Sequence, residues 1–395
     1  MSSQTPLAAD NAAPQPPKNR RGLLLRLLGV AVILAAAGWT AWYFLDGRWY
    51  EGTDDAYVNG NVVQITPQVP GTVVTIGADD GDLVHAGDVL VKLDPSNTEV
   101  ALAEAKASLA STVRHVRGLY SNVSGAQADV AARKVAVDKA RADFNRRRDL
   151  AKSGAISAEE LSHAQDTLTT AESGLITAQQ QLETSKVLVD DTVVASHPDV
   201  QAAAAKLRAA YLDNLRTTIV APVDGYVAKR SVQLGQRVAT GAPLMAVVPL
   251  HQVWIDANFK ETQLTHMRIG QPVEIRADVY GGKVTYKAHV QSLGVGTGSA
   301  FSLLPAQNAT GNWIKIVQRV PVRVFFDDPK QLDEHPLRIG LSTDVEVNLH
   351  DQTGPMLARQ APTQPAFNTD VYAKQMAEAD SAIGQIIHAN MAGQK

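Results

Sequence analysis

The chain of 395 residues contains no cysteine. That excludes disulfides, zinc ribbons and iron–sulfur ligation, and it excludes a lipobox, so the protein is not anchored as a cysteine-modified lipoprotein. Charge of one sign is also lacking: the formal net charge of -3 gives no reason to invoke a nucleic acid partner. The ten histidines are scattered, with no HExxH or other metal-ligating spacing. One glycine run, Gly294-Val295-Gly296-Thr297-Gly298-Ser299, has its third glycine misplaced for a dinucleotide loop and lacks a βαβ context. No catalytic, metal or cofactor site emerges.

What is present begins at the N-terminus. Residues 1–22 are rich in Pro, Ala, Ser and Gln and end in Lys18, Arg20 and Arg21, which reads as a disordered tail. Residues 23–45 are apolar and long enough to span a bilayer, with Arg26 close enough to the end to snorkel. Basic residues precede the run and Asp46, Glu51, Asp54 and Asp55 follow it, so the positive-inside rule puts the N-terminus in the cytoplasm. Ala35, Ala36 and Ala37 offer the small-residue site of a cleaved signal peptide. The apolar run instead continues through Trp39, Trp42, Tyr43 and Phe44, and its length favours an uncleaved anchor.

A second feature is an internal repeat. Residues 65–95 align without a gap on 219–249, and nine positions are identical at a constant offset of 154, among them Ile65/Ile219, Val73/Val227, Gly81/Gly235, Val84/Val238 and Leu90/Leu244. Alternating apolar positions with glycines at tight turns make each copy half of a small β-sandwich. The halves are residues 46–95, with a lead-in strand, and 219–249. The pattern resembles the biotinyl and lipoyl carrier fold, where two such halves meet at a hairpin that presents a modifiable lysine. Here 123 residues, 96–218, replace that hairpin, so the lysine has no place. A split lipoyl domain is similar to that of periplasmic adaptors, the membrane fusion proteins of the HlyD type.

The insertion is heptadic. Leu102, Leu109, Val116, Val123, Val130, Val137 and Phe144 recur every seven residues, with mostly small residues three places on, such as Ala105 and Ala126. Beyond Lys152-Ser153-Gly154-Ala155, the residues Leu161, Leu168, Leu175, Leu182 and Val189 repeat the interval. Two heptad helices joined by a glycine-containing turn predict an antiparallel hairpin with its tip at about 146–157. Asp190, Asp191 and His197-Pro198-Asp199 predict a break in the return arm and a restart with Pro198 in the first turn. Ser157 with Glu160 predicts a capping box. Arg147, Arg148 and Lys152 read as a basic tip.

After Pro249, short alternating strands punctuated by glycine predict a small antiparallel β-barrel over residues 250–350, followed by a C-terminal tail over 351–395 with a short helix near 371–391. The fold class is therefore mixed α and β: one transmembrane helix, a split sandwich, a coiled-coil hairpin and a barrel.

Within the adaptor family, the stretches 54–71, 254–264, 267–273, 296–323 and 336–342 resemble the EmrA-type branch that serves drug exporters. The resemblance implies an inner-membrane transporter of the major facilitator type, a TolC-like outer-membrane channel, and self-association of the adaptor into a ring, with this chain periplasmic and without a catalytic step. It also implies a role for the tip sequence R-x-x-x-L-x-x-x-x-x-x-S, present as Arg146, Leu150 and Ser157 around Gly154, in docking the channel. Hydrophobic residues of the barrel loop, Phe301, Leu303, Leu304 and Trp313, are candidates for drug or transporter contact, or else fill the barrel or a contact between adaptor copies. An adaptor of an ABC-driven exporter shares these physical features, whereas a carrier domain of an enzyme is disfavoured by the missing lysine and the membrane span.

Overall fold

The apolar run forms one helix, α1 (Arg20–Leu45), of 26 residues. At 1.5 Å per residue it reaches about 39 Å, more than the roughly 30 Å of a hydrocarbon core. Its apolar window lies within Leu24–Trp49, with a mean hydropathy of 1.9 and no burial against protein. It is long and apolar enough to cross a membrane. These features come from a computed structural model, which describes Ser2 and residues 20–189, 192–298, 300–301 and 317–391.

In chain order there follow β1 (Tyr50–Asn59), β2 (Val63–Ile65), β3 (Gly71–Ile76), β4 (Leu83–Val84) and β5 (Val89–Leu93). Next come the helices α2 (Ser96–Lys152), α3 (Ala158–Val187) and α4 (Pro198–Leu215). The sheet resumes with β6 (Thr218–Val220), β7 (Gly225–Ala228), β8 (Arg237–Val238) and β9 (Met245–Val248). The remainder is β10 (Trp254–Lys260), β11 (Pro272–Ala277), β12 (Thr285–Leu293), β13 (Arg319–Phe326), α5 (Lys330–Glu334), β14 (Ser342–Asn348) and α6 (Ala373–Met391). The chain divides into two units: up to Gly60 with Leu250–Thr363, and Asn61–Pro249 with Gln364–Lys395.

In the first unit, six antiparallel strands close a barrel in the order β1-β10-β13-β12-β11-β14. Alternate residues of β11, β12 and β14 point inward, the period of two that a half-buried strand requires. Phe259, Ile275, Tyr286 and Val324 are completely buried at the centre. The Tyr286 hydroxyl donates to the His335 carbonyl at 2.9 Å, and burial pushes its pKa up to about 12, which keeps it neutral. The lead-in strand, grouped by chain position with the first half of the sandwich, belongs instead to this barrel. As β1 it pairs with β10 (Ala56↔Ala257) and β14 (Tyr50↔Asn348), and without it the barrel would stay open.

In the second unit, the repeat explains the sandwich. One sheet runs β2-β9-β7-β4 and the other β6-β5-β3-β8, so each sheet takes strands from both copies. β2 pairs with β9 while its counterpart β6 pairs with β5, and β4 pairs with β7 while β8 pairs with β3. Neither half can complete a sheet alone. Four of the identical pairs lie in the core: Ile65/Ile219, Val73/Val227, Val84/Val238 and Leu90/Leu244 are all buried. Gly81 and Gly235 hold φ of 93° and 75° in equivalent turns, a region that side-chain-bearing residues rarely enter.

Between the halves stands the hairpin. α2, of 57 residues, is about 85 Å long at 1.5 Å per residue. Leu102, Leu109, Val116 and Val137 of its heptad seam are buried, as are the small residues Ala164 and Ala178 of α3, which let the arms approach. Arg141 and Glu172 join the arms at 2.6 Å. The return arm breaks after Val187 and restarts at Pro198, where His197 caps α4 by accepting from the Asp199 N–H at 3.2 Å. The C-terminal segment is not a free tail: α6 packs on α2 and α4 at the hairpin base, burying Ala379, Ile383 and Ile387.

Candidate docking tip and barrel loop

α2 ends because Gly154 adopts φ of 76° one residue beyond the cap residue Ser153. The Ala155 N–H then donates to the Leu150 carbonyl at 3.1 Å and the Gly154 N–H to the Ala151 carbonyl at 3.0 Å, the paired bonds of a Schellman motif. The Ser153 hydroxyl donates to the same Leu150 carbonyl at 2.7 Å. The Leu150 backbone is thereby pinned while its side chain stays 48% exposed.

On the other side of the turn the capping box is complete. The Ser157 hydroxyl accepts from the Glu160 N–H at 3.1 Å, and the Ser157 N–H donates to the Glu160 carboxylate at 3.0 Å. The Ser157 N–H and hydroxyl together hold the Glu160 carboxyl below its usual range. Arg146 stands four residues before Leu150 and thus on the same side of α2, exposed, with its guanidinium 2.9 Å from Asp143. Arg146 and Leu150 thus lie in the last turns of α2, Gly154 turns the chain and Ser157 opens α3.

The basic run of the tip is paired with carboxylates on and beside it. Arg147 also pairs with Asp143, at 3.0 Å, and Lys152 pairs with Asp149 at 3.0 Å, which lowers the Asp149 pKa. Glu159 and Glu160 follow in the first turn of α3. Within 146–157 four cationic side chains stand against Asp149 alone, and Asp143, Glu159 and Glu160 on either side bring the charges of 143–160 to balance.

In the barrel, Phe301 is 71% exposed and covers Gly296 so closely that a Cβ there would lie 2.6 Å from the ring. Val295 and Val317, exposed at 84% and 51%, flank the same loop and were not singled out from sequence, since isolated valines carry no pattern. Leu303, Leu304 and Trp313 lie outside the described residues. Among the described residues, no group of three or more His, Cys, Asp or Glu side chains is placed to hold a metal.

A sandwich that opens into a helical hairpin, in a chain that also carries a closed barrel and an apolar helix, defines the class: a membrane fusion protein, or adaptor. Residues 96–217 match the family described as "EMRA, alpha-helical hairpin domain", and residues 252–348 match the "AAEA-like beta-barrel domain". The chain is 47% identical over 349 residues to the multidrug export protein EmrA of Escherichia coli (strain K12), covering 88% of this chain and 89% of that one. It is 42% identical over 390 residues to the multidrug export protein EmrA of Haemophilus influenzae, covering 98% and 99%. Identity to the fatty acid resistance protein FarA of Neisseria gonorrhoeae is 47% over 334 residues, 84% of each chain. This chain belongs to the EmrA family of membrane fusion proteins.

Proposed function

We propose that the chain is the periplasmic adaptor of a tripartite drug exporter. It links an EmrB-like inner-membrane transporter of the major facilitator type to a TolC-like outer-membrane channel. The observation that carries this reading is the capped tip: Arg146, an exposed Leu150 and Ser157 on a turn held by a Schellman motif and a capping box, at the end of an arm about 85 Å long. A rigid polar turn with one apolar knob fits a protein contact better than a small-molecule site. The N-terminus lies in the cytoplasm, α1 crosses the inner membrane, and copies pack side by side into a ring from which the tips meet the channel. Proton-coupled transport is the transporter's work, and the adaptor catalyses no step. The exported compounds are hydrophobic, as is the fatty acid for which one relative is named.

The test is affinity purification of the whole chain from native membranes in mild detergent with light crosslinking, followed by mass spectrometry. Recovery of a major facilitator transporter and an outer-membrane channel supports the reading. An ABC ATPase in their place would move the chain to a secretion system.

A further inference from the structure

The segment after the barrel has no role in the reading above, yet it is built into the hairpin's unit. Between sandwich and hairpin the chain crosses twice, at the start of α2 and at the end of α4, and the Leu93 N–H donates to the Thr217 carbonyl across that joint at 2.8 Å. The C-terminal segment spans the same joint a third time. On the sandwich side, the Thr369 hydroxyl donates to the Pro222 carbonyl at 2.7 Å. On the hairpin side, Ala379, Ile383 and Ile387 recur every four residues on one buried stripe of α6, and the two isoleucines share a core cluster with Leu109 and Leu207. Polar contacts fix the register of that stripe. Arg208 donates to Asp380 through Nε at 2.8 Å and through Nη2 at 2.6 Å, and Arg114 donates to Asn390 at 2.7 Å.

We infer that residues 369–391 are a brace across the sandwich–hairpin joint, which sets the direction in which the hairpin points. The lever makes such a brace consequential: with an arm of about 85 Å, a change of about 10° at the base moves the tip by about 15 Å. Only three side chains of the nineteen-residue α6 are buried and its polar contacts are at the surface, so the brace is the part of the unit that can detach without unfolding the sandwich or the seam. The inference does not depend on which transporter or channel the chain serves.

The absence of cysteine permits a direct test on the whole chain. Spin labels at Gln127→Cys on α2 and Gln233→Cys on the sandwich report the distance across the joint, since both side chains are exposed. Ending the chain at Thr363, or introducing Ile383→Asp within α6, is expected to broaden the distance distribution at least twofold, with exchange of the sandwich amides unchanged. A distribution of unaltered width in either variant would overturn the inference and reduce α6 to a passenger on a base already rigid.

Discussion

The Nε of Arg230 lies 2.6 Å from Oδ1 of Asp79, so a residue of the second sandwich half closes on one of the first, 151 positions earlier. The hydrogen bond from Arg230, ahead of one from the Asp80 N–H, holds the Asp79 carboxyl below its usual 3.8. A lowered carboxylate stabilises the fold fully above its unfolded pKa and ceases to do so as pH falls through the folded one. D79N should therefore weaken the sandwich at neutral pH, and the difference from the unchanged chain should close as pH drops below about 4. Amide exchange in β3 and β7 at the two pH values measures it.

Leu90 and Leu244 occupy equivalent places in the two halves, at 0% and 1% exposure. Either one changed to alanine should cost about 2–5 kcal/mol, and the two costs should be similar because the cavities are quasi-equivalent. Urea unfolding followed by exchange in the sandwich would show a strong asymmetry if the two sites were not equivalent.

Ser157 both caps α3 and faces outward at the tip, and two substitutions separate these roles. S157A should lose the cap, worth about 1 kcal/mol, with faster exchange in the first turn of α3. S157N keeps a capping oxygen while changing the surface, so it should preserve that protection and still reduce drug resistance. Full resistance with S157N would leave Ser157 a cap alone.

Gly154→Ala forces a side chain into φ of 76° and should destabilise the turn by about 1–2 kcal/mol. Gly154→Asn should cost less, since asparagine tolerates this region. Thermal unfolding of the hairpin by circular dichroism would rank the two.

Phe301, mostly exposed, should be replaceable by alanine within about 0.5 kcal/mol of barrel stability. A fall in resistance with stability and self-association unchanged would place the loop on the drug or transporter path; unchanged resistance together with unchanged drug binding would remove it.

Features written in local periodicity were legible from sequence. The heptad seam, the break at Pro198, the Ser157 cap and the repeated core positions each depend on neighbours a few residues away or on an offset visible by alignment. What escaped depends on distant partners. β1 reads as a lead-in to the sandwich because it adjoins it in the chain, whereas its partners Ala257 and Thr343 lie some 200 and 290 residues on. α6 shows an amphipathic stripe in its sequence, but nothing local announces Arg208, 172 residues earlier, as its partner. Three consecutive arginines make the basic run at the tip plain in the sequence, whereas the carboxylates that balance it are scattered: Asp143 before the run, Asp149 after it, and Glu159 and Glu160 beyond the turn.

Because each sheet of the sandwich is completed only by strands from both sides of the insertion, the base does not register how much chain lies between them. The hairpin is in effect a ruler. Seven residues removed from each arm would shorten it by about 10 Å with the seam still in phase, whereas the same cut in one arm alone would leave the arms about 10 Å unequal, so that the chain could not close on the sandwich without looping out. The span that such an adaptor bridges can thus change by whole heptads, in matched pairs, without any alteration to the parts that anchor it.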